Sequence, residues 1–180
     1  MPIVRGKDIE VLYSASAIAR RNLELAKEIA SRDYNDLLVI SVLKGSFIFA
    51  ADLIRAMHDV GLSPEVEFIF ISSYGAGTTS GEVRVLRDID NDVAGRDVLL
   101  IDDILESGKT LAFARKLMME RGAKSCSIAV LLDKRMRRQA DLEADYVGFD
   151  CPDHFVVGYG MDVAHAFREL PFVGVVTGDA

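Results

Sequence analysis

The sequence predicts an α/β fold in which a central, mainly parallel sheet is flanked by helices. Short apolar runs rich in β-branched residues alternate with helical patterns over the first two thirds of the chain, which is typical of β-α-β units. The apolar run VLLI at residues 98–101 is the strongest buried-strand signal, and Asp102 and Asp103 follow it directly. Because ligands of open parallel sheets bind at the carboxyl ends of the strands, we expect the chemistry of the protein there.

The composition predicts a single globular domain over residues 1–180. Half of the 180 residues are hydrophobic and 27% are charged, a ratio that excludes a disordered or collagen-like chain. The net charge of −7 argues against a general nucleic-acid binder, whose affinity would depend on Lys and Arg that neutralise phosphates. Cys126 and Cys151 have the spacing of neither a zinc site nor a disulfide framework. With no signal peptide and no membrane span in the sequence, we expect a cytoplasmic protein that does not bind membranes.

Local patterns place the individual elements. Helices are predicted from a cap at Ser14 to about Ser31, from a cap at Ser46 to Gly61, and from Thr110 to Arg121, where Gly122 closes the helix. Strands are predicted at residues 37–42, 66–70, 83–86, 98–101, 127–132, 146–149, 155–158 and 172–176. Residues 72–82 are rich in glycine and small residues and are predicted to form a loop, and loops of this length are often lids.

The segment DDILESGKT, which begins at Asp102, predicts a site for a phosphorylated sugar. Two adjacent carboxylates, those of Asp102 and Asp103, are unfavourable unless a cationic or hydroxylic group meets them. The hydroxyls of Ser107 and Thr110, the small Gly108 and the unpaired N–H groups of a helix N-terminus suit a phosphate monoester. We therefore expect the carboxylates to meet ribose hydroxyls or a metal and the amides to meet a 5′-phosphate.

The same residues fit two other interpretations. A solvated strand end followed by an ordinary helix cap would use the same residues, and the segment by itself leaves that interpretation open. A Walker A loop would match GKT at residues 108–110 but needs a glycine five residues before Gly108, where the chain has Asp103. The Walker A interpretation is therefore excluded.

Residues 98–110 resemble the phosphoribosyl-pyrophosphate (PRPP) binding motif of type I phosphoribosyltransferases. Further segments narrow the resemblance to the hypoxanthine (hypoxanthine-guanine) phosphoribosyltransferases. These are VLKGS at 42–46, SSY at 72–74, LLDK at 131–134, DYVGF at 145–149, PDHFVVGYGMD at 152–162 and FRELP at 167–171. The ordered set is very specific because it lies in register along most of the chain. It implies the family's fold, with a small hood and a flexible loop beside the central sheet.

The resemblance implies an enzyme of purine salvage. In the family's reaction, the purine N9 displaces pyrophosphate from C1 of PRPP through an oxocarbenium-like transition state, and hypoxanthine or guanine becomes IMP or GMP. The resemblance also implies Mg²⁺ as cofactor, PRPP and 6-oxopurine bases as partners, and a homodimer or homotetramer. The metal residues implied are Asp102, Asp103 and Asp162.

Binding roles are implied residue by residue. Asp102 and Asp103 contact the ribose hydroxyls, and the 5′-phosphate is held by Glu106, Ser107, Gly108, Lys109 and Thr110. The pyrophosphate is held by Lys44, Gly45 and Arg168, and the Leu43–Lys44 peptide is cis in at least some members of the family. The purine is bound by Lys134 at O6, by stacking on Phe155, by the carbonyl of Val156 and by Asp162. Ser73 and Tyr74, with residues 75–81, correspond to the mobile loop that closes over the site.

Glu106 departs from the family pattern. The family usually has aspartate at this position, as the group that takes the proton from the purine N7. The extra methylene moves the carboxylate by about an ångström, and misplacements of that size can cost ~10²-fold in rate. Either the loop compensates for the longer side chain, or Glu106 is a less effective base than the aspartate that the family usually has.

Without the resemblance, several of these residues have plainer interpretations. Lys44 and Gly45 would form a strand-to-helix turn, Arg168 would be a surface arginine, and Phe155 would be a core residue. The basic residues that follow Lys134, namely Arg135, Arg137 and Arg138, are expected to form a solvated run.

Two alternatives to the proposed activity remain open. A xanthine- or guanine-preferring enzyme would differ at the purine 2-position, which backbone carbonyls read in part. A PRPP-sensing regulator of the same fold that binds RNA or DNA would keep the central motif but tends to lose residues around the leaving group and the base. Those residues are present here, and the chain is acidic, which favours the enzyme.

Overall fold

The computed structural model describes residues 1–74 and 82–177. Its strands are β1 (Ile3–Val4), β2 (Lys7–Tyr13), β3 (Leu38–Leu43), β4 (Glu65–Tyr74), β5 (Glu82–Arg87), β6 (Asp97–Leu105), β7 (Ser125–Asp133), β8 (Tyr146–Asp150), β9 (Val156–Val157) and β10 (Val173–Thr177). Its helices are α1 (Ala15–Ala30), α2 (Phe47–Asp59) and α3 (Lys109–Glu120), with a short 3-10 turn over Arg135–Arg137. In these two ranges, no helix is long and apolar enough to cross a membrane.

The central sheet has six strands in the order β5-β4-β3-β6-β7-β8. All neighbours in it are parallel except β4 and β5, which are antiparallel. The predicted α/β architecture with a mainly parallel sheet is therefore confirmed. Because β3, β6 and β7 run in the same direction, their carboxyl ends share one edge of the sheet, and this edge is where the candidate site lies.

Both faces of the central sheet are covered. Leu99 and Ile101 of β6 pack with α1 and α2 on one face. Val98 and Leu100 pack with α3 on the opposite face. Neighbouring residues of a strand point to opposite faces, so a strand covered on both sides must be apolar throughout. This explains why residues 98–101 are a continuous apolar run.

A second, antiparallel sheet forms the expected hood, with the strand order β1-β2-β10-β9. The two N-terminal strands were not among the predicted elements. The signal that could have found β2 is the alternation of Ile9 and Val11 with Asp8 and Glu10. Only Ile9 of this strand is fully buried, so the apolar content of the segment is low and the pattern is weak.

The two predicted helix caps differ in their chemistry. Ser14 caps α1 as expected, since the N–H of Ala17 donates to its hydroxyl oxygen at 3.2 Å. The predicted side-chain cap at Ser46 is wrong, although α2 begins directly after this residue. Ser46 has helical rather than extended backbone angles, and its hydroxyl donates instead to the carbonyl of Val42, with Ser41 Oγ 2.8 Å away.

The predicted loop over residues 72–82 is too long at both ends. Strand β4 continues through Tyr74 and β5 begins at Glu82, with Ser73 opposite Val83. Antiparallel pairing of the two strands therefore takes residues that the sequence had assigned to the loop. Residues 75–81, the remainder of the expected lid, lie outside the described residues.

Candidate active site

Asp102 and Asp103 lie near the carboxyl end of β6, three and two residues before the strand ends at Leu105. The N–H of Asp103 donates to Asp102 Oδ1 at 2.9 Å. Burial in the surrounding protein removes water from both carboxyls and raises their pKa, and the charge of Asp103 raises the pKa of Asp102 further. The positive charge of Arg168 opposes this increase in the pKa of Asp103. Two carboxylates held this way favour a cation at this edge of the sheet.

Gly45, in the turn between β3 and α2, lets the Asp103 carboxylate lie directly against the main chain. A Cβ atom on Gly45 would lie 2.1 Å from Asp103 Oδ2. Gly160 of the hood approaches the same turn, because a Cβ on it would lie 2.6 Å from the carbonyl oxygen of Gly45, and its φ is +97°. The Gly45 turn therefore contacts the Asp103 carboxylate of β6 on one side and Gly160 of the hood on the other. Neither glycine has a side chain that would keep these groups apart.

The turn after β3 has the other features that the resemblance implied. The Leu43–Lys44 peptide is cis. The Lys44 side chain is exposed, and its ammonium lies 5.4 Å from the centroid of the Phe70 ring. The cation of Lys44 therefore stays accessible to an anion at the carboxyl edge of the sheet.

Arg168 lies beside the same turn. Its Nη1 donates to the carbonyl of Gly160, and the N–H of Gly160 donates back to the carbonyl of Arg168 at 3.0 Å. Its Nη2 lies 3.2 Å from Asp162 Oδ1. The side chain is only 22% exposed, so the interpretation of Arg168 as a solvated surface arginine is wrong. The contact between Gly160 and Gly45 places this guanidinium near the Lys44–Gly45 turn.

The loop between β6 and α3 lines a cavity of about 170 Å³. Its lining residues include Asp102, Glu106, Ser107, Gly108 and Thr110. Gly108 has a φ of +83° and provides no side-chain cap to α3. The N–H of Lys109 donates to Ser107 Oγ at 3.3 Å, whereas the N–H groups of Thr110 and Leu111 have no hydrogen-bond partner within the described residues and suit an anion, as the sequence predicted for a phosphate.

Glu106 and Lys134 form an ion pair beside this cavity. Lys134 Nζ lies 3.1 Å from Glu106 Oε1 and 3.7 Å from Asp153 Oδ1. The Lys134 side chain is only 7% exposed, whereas that of Glu106 is 47% exposed. A buried cation is thus paired with a carboxylate that solvent or a ligand can reach.

Phe155 and Val156 follow Asp153, whose carboxylate lies 3.7 Å from Lys134 Nζ, and Phe155 lines a separate cavity with Val163, Phe167 and Val176. Phe155 is 64% exposed, so its interpretation as a core residue is wrong. Val156 is buried in the core beneath it. An exposed aromatic ring that directly precedes a buried strand is suited to stack on a planar ligand.

The expected metal residues are only partly brought together. Asp102 and Asp103 are adjacent, but the Asp162 carboxylate is occupied by Arg168 and by the N–H of His165, at 2.8 Å. Over the described ranges, no three His, Cys, Asp or Glu side chains form a group that could hold a metal ion. The donor set still fits Mg²⁺, which binds to one or two carboxylates and takes its other ligands from water and substrate phosphates.

The predicted basic run after Lys134 is wrong at Arg138. Arg135 and Arg137 are exposed, but the Arg138 side chain is 13% exposed and is paired with Asp133. Asp133 ends the buried strand β7 and is itself 1% exposed, so its charge draws a guanidinium into the protein. A carboxylate at the end of an apolar run was the sequence signal for this partner.

Comparisons with known proteins show similarity along most of the chain. The family model described as "Phosphoribosyl transferase domain" matches residues 8–164. The hypoxanthine phosphoribosyltransferase of Escherichia coli K12 is 42% identical over 172 residues, which cover 93% of this chain and 95% of that protein. The hypoxanthine-guanine phosphoribosyltransferase of Bacillus subtilis 168 is 49% identical over 173 residues, which cover 94% of each chain.

Solved structures show the same similarity. A hypoxanthine phosphoribosyltransferase of Staphylococcus aureus has a TM-score of 0.87 and 40% identity, covering 93% of this chain and 91% of that one. The glutamic acid mutant from an analysis of an invariant aspartic acid in HPRTs has the same TM-score and 41% identity, covering 95% and 96%. These similarities confirm the predicted fold class over nearly the whole chain.

Proposed function

This chain belongs to the phosphoribosyl transferase family, and we propose that it transfers the 5-phosphoribosyl group of PRPP to hypoxanthine and guanine. The products are pyrophosphate and IMP or GMP, and the reaction is one of purine salvage. The observation that carries the proposal is the pair formed by Lys134 and Glu106, 3.1 Å apart beside the cavity of the β6–α3 loop. The names of the relatives, which cover nearly the full chain, support the same activity.

The pair matches one edge of a 6-oxopurine. O6 is a hydrogen-bond acceptor, and the neighbouring N7 carries the proton that must leave when N9 attacks. Lys134 donates to O6 and the Glu106 carboxylate accepts the proton from N7. Adenine has an amino donor in place of O6, so the ammonium of Lys134 disfavours it. Phe155 stacks on the ring, and the carbonyl of Val156 accepts from N1 or the 2-amino group.

The cavity of the β6–α3 loop receives the ribose 5-phosphate portion of PRPP. The N–H groups of Thr110 and Leu111 at the start of α3 and the hydroxyls of Ser107 and Thr110 bind the phosphate. Asp102 and Asp103 bind the ribose hydroxyls, and their negative charge stabilises the cationic ribose of the transition state. In this arrangement Lys109 contributes by holding Ser107, since its N–H donates to Ser107 Oγ at 3.3 Å while its exposed side chain does not line the cavity.

Lys44, Gly45 and Arg168 hold the leaving pyrophosphate. A guanidinium fork and an accessible ammonium suit phosphate oxygens, and Gly45 leaves room for the substrate to approach the main chain. Mg²⁺ held by Asp102 and Asp103 would supply charge that neutralises the pyrophosphate as it departs. Asp162 completes the site either at a second Mg²⁺ or at the base.

The remaining assignments belong to the same proposal. Ser73 and Tyr74 begin the lid that excludes water, because hydrolysis of PRPP is the competing reaction. The whole chain, residues 1–180, works as one phosphoribosyltransferase domain and forms a homodimer or homotetramer. It acts in the cytoplasm and binds neither nucleic acid nor membranes.

The direct test is product identification. Purified protein is incubated with PRPP, Mg²⁺ and hypoxanthine, and the products are followed by phosphorus NMR and chromatography. We expect IMP and pyrophosphate in equal amounts. Binding of PRPP without either product would favour the PRPP-sensing regulator, and faster conversion of xanthine than of hypoxanthine would favour the xanthine-preferring enzyme.

A further inference from the structure

The segment that follows β7 is tied to the β6–α3 loop. We call residues 134–142 the strap. The N–H of Lys134 donates to the carbonyl of Leu105 at 2.9 Å, and the N–H groups of Gln139 and Ala140 both donate to the carbonyl of Ser107 at 2.9 Å. The main chain of the strap therefore holds the loop at both of its ends.

Arg138 lies at the centre of these contacts. Its Nε donates to the carbonyl of Glu106 at 3.1 Å, its Nη1 donates to the carbonyl of Leu142 at 2.6 Å, and its Nη2 donates to the carboxylate of Asp133. The guanidinium is nearly buried and its partner Asp133 is fully buried. A single planar group thus joins the end of β7, the strap and the residue proposed as the catalytic base.

The strap also packs against Gly108. A Cβ atom at Gly108 would lie 3.2 Å from Arg138 Cδ and 3.3 Å from Ala140 Cβ. Because Gly108 has a positive φ and precedes the first turn of α3, the position of its main chain decides where the N–H groups of that turn point. The aliphatic part of Arg138 therefore supports the same loop that its guanidinium holds.

We propose that Arg138 is a positioning residue for the proposed reaction. It fixes the main chain of residues 105–108, and through it both the phosphate-binding N–H groups and the carboxylate of Glu106. An anion site made of main-chain N–H groups binds well only when it is held in place before the ligand arrives. Lysine cannot replace arginine here, because a single ammonium cannot reach three acceptors in a planar fork. This inference rests on the proposed function.

Arg135 provides a matched control. Its Nε lies 3.0 Å from the other oxygen of the same Asp133 carboxylate. Its side chain is 67% exposed, and within the described part of the chain it makes no hydrogen bond to residues 105–108. Loss of Arg135 removes charge from Asp133 but leaves the loop contacts intact.

The test compares Arg138→Met, Arg138→Lys and the control Arg135→Met. The measurements are the KM values for PRPP and hypoxanthine, kcat, the Kd of ribose 5-phosphate by calorimetry, and the melting temperature. Arg138→Met should raise the KM for PRPP and the Kd of ribose 5-phosphate by about tenfold or more, since it removes charge-assisted hydrogen bonds to the loop. The KM for hypoxanthine should change by less than about threefold, because Phe155, Val156 and the Lys134 ammonium remain.

The lysine variant and the Arg135 control sharpen the test. Arg138→Lys should reverse less than about half of the change in log Kd for ribose 5-phosphate that Arg138→Met causes. Arg135→Met should leave the Kd of ribose 5-phosphate and the KM for PRPP within about twofold of the wild-type values. Arg138→Met could fail to fold because it removes one of the two arginines that compensate the buried charge of Asp133. In that case the double variant Asp133→Asn/Arg138→Met, which also removes the charge of Asp133, is measured instead of Arg138→Met.

Three results would overturn the inference. One is an Arg138 variant, single or double, that binds ribose 5-phosphate as wild type does. A second is a lowered melting temperature with equal increases in both KM values, which would indicate a purely structural role. A third is full recovery by lysine. Wild-type protein that transfers nothing to any base would overturn the proposed function instead, and the Kd comparison would still test the role of Arg138.

Discussion

The ammonium of Lys134 lies 3.1 Å from the carboxylate of Glu106, although the two residues are 28 positions apart in the chain. The strand register explains the contact. β6 and β7 are parallel neighbours, and Leu105 of β6 is paired with Asp133 of β7. Each charged residue follows directly after one of these two partners. The proposed proton acceptor and the proposed O6 donor are therefore placed together by the central sheet.

Replacing Glu106 by glutamine tests the proton acceptor. Glu106→Gln keeps the size of the side chain but cannot take the N7 proton, so we expect kcat to fall by roughly 10²–10⁴-fold, the usual span for general acid–base catalysis. The measurement is steady-state turnover of hypoxanthine at saturating PRPP. A kcat within about threefold of wild type would remove Glu106 from this role.

Glu106→Asp is the matched control for that substitution. It restores the residue that the family usually has and keeps the carboxylate, although about an ångström further from the purine in the present loop. We expect kcat to change by at most ~10²-fold, in either direction, and by less than in Glu106→Gln, because the carboxylate that accepts the proton remains and is only displaced by about an ångström. A loss as large as that of Glu106→Gln would mean that placement, and not proton transfer, explains both.

Lys134→Met separates recognition of the base from recognition of PRPP. The substitution removes the donor to O6 and the ion pair with Glu106, but it keeps the main-chain hydrogen bond from Lys134 to Leu105 and does not touch the Lys44–Gly45 turn. We expect turnover of oxopurines to fall by about two orders of magnitude, as for the loss of a buried charged hydrogen bond, while the Kd of PRPP stays within about threefold. Equal losses in PRPP binding and in turnover would count against the assignment.

Gly45→Ala tests the close approach of the Asp103 carboxylate to the turn. The new methyl group would lie 2.1 Å from Asp103 Oδ2, so the carboxylate or the turn must move. We expect kcat/KM for PRPP to fall by ~10²-fold, which is typical of a displacement of about an ångström at a reacting site.

Gly61→Ala serves as the control for adding a methyl group to a glycine. Gly61 has a φ of +91° and open space around the position of a Cβ atom. It should lower the free energy of unfolding by about 1–2 kcal/mol, through the left-handed backbone alone, and leave activity unchanged. Loss of activity in both variants would show that the Gly45 result reflects general destabilisation.

Asp102→Asn should make the free protein more stable and less active. Burial and the neighbouring charge of Asp103 disfavour the ionised Asp102, so its neutral replacement should raise stability by on the order of 1 kcal/mol, or about 2–4 °C in Tm. Turnover with Mg²⁺ and PRPP should fall because the ribose and metal contacts are weakened. A lower Tm together with unchanged turnover would contradict the role of this pair.

Much of the central sheet was predictable because its signals are local. The run VLLI followed by Asp102 and Asp103 identified the strand and predicted a site at its end, and Ser14 identified the start of α1. The hood was harder to predict from pattern alone. Strand β2 has one fully buried residue, Ile9, and its partner β10 lies at the other end of the chain, so no local pattern reports their pairing.

The contacts that Arg138 and Gly45 make beside the candidate site were not predictable from local sequence patterns. Arg138 looks like a member of a solvated basic run until the buried carboxylate of Asp133 and the carbonyl of Glu106 are brought to it by the sheet. Gly45 likewise looks like an ordinary turn glycine until Asp103, 58 positions later, is seen to lie against it. Contacts between distant segments decide both cases.

The central claim is tested most directly by a phosphoribosyl-transfer assay with PRPP, Mg²⁺ and four bases in parallel: hypoxanthine, guanine, xanthine and adenine. We predict turnover of hypoxanthine and guanine and none of adenine, because Lys134 donates to O6 and Glu106 accepts the proton from N7. Transfer to adenine at a rate comparable to that of hypoxanthine, or binding of PRPP without transfer to any base, would contradict it.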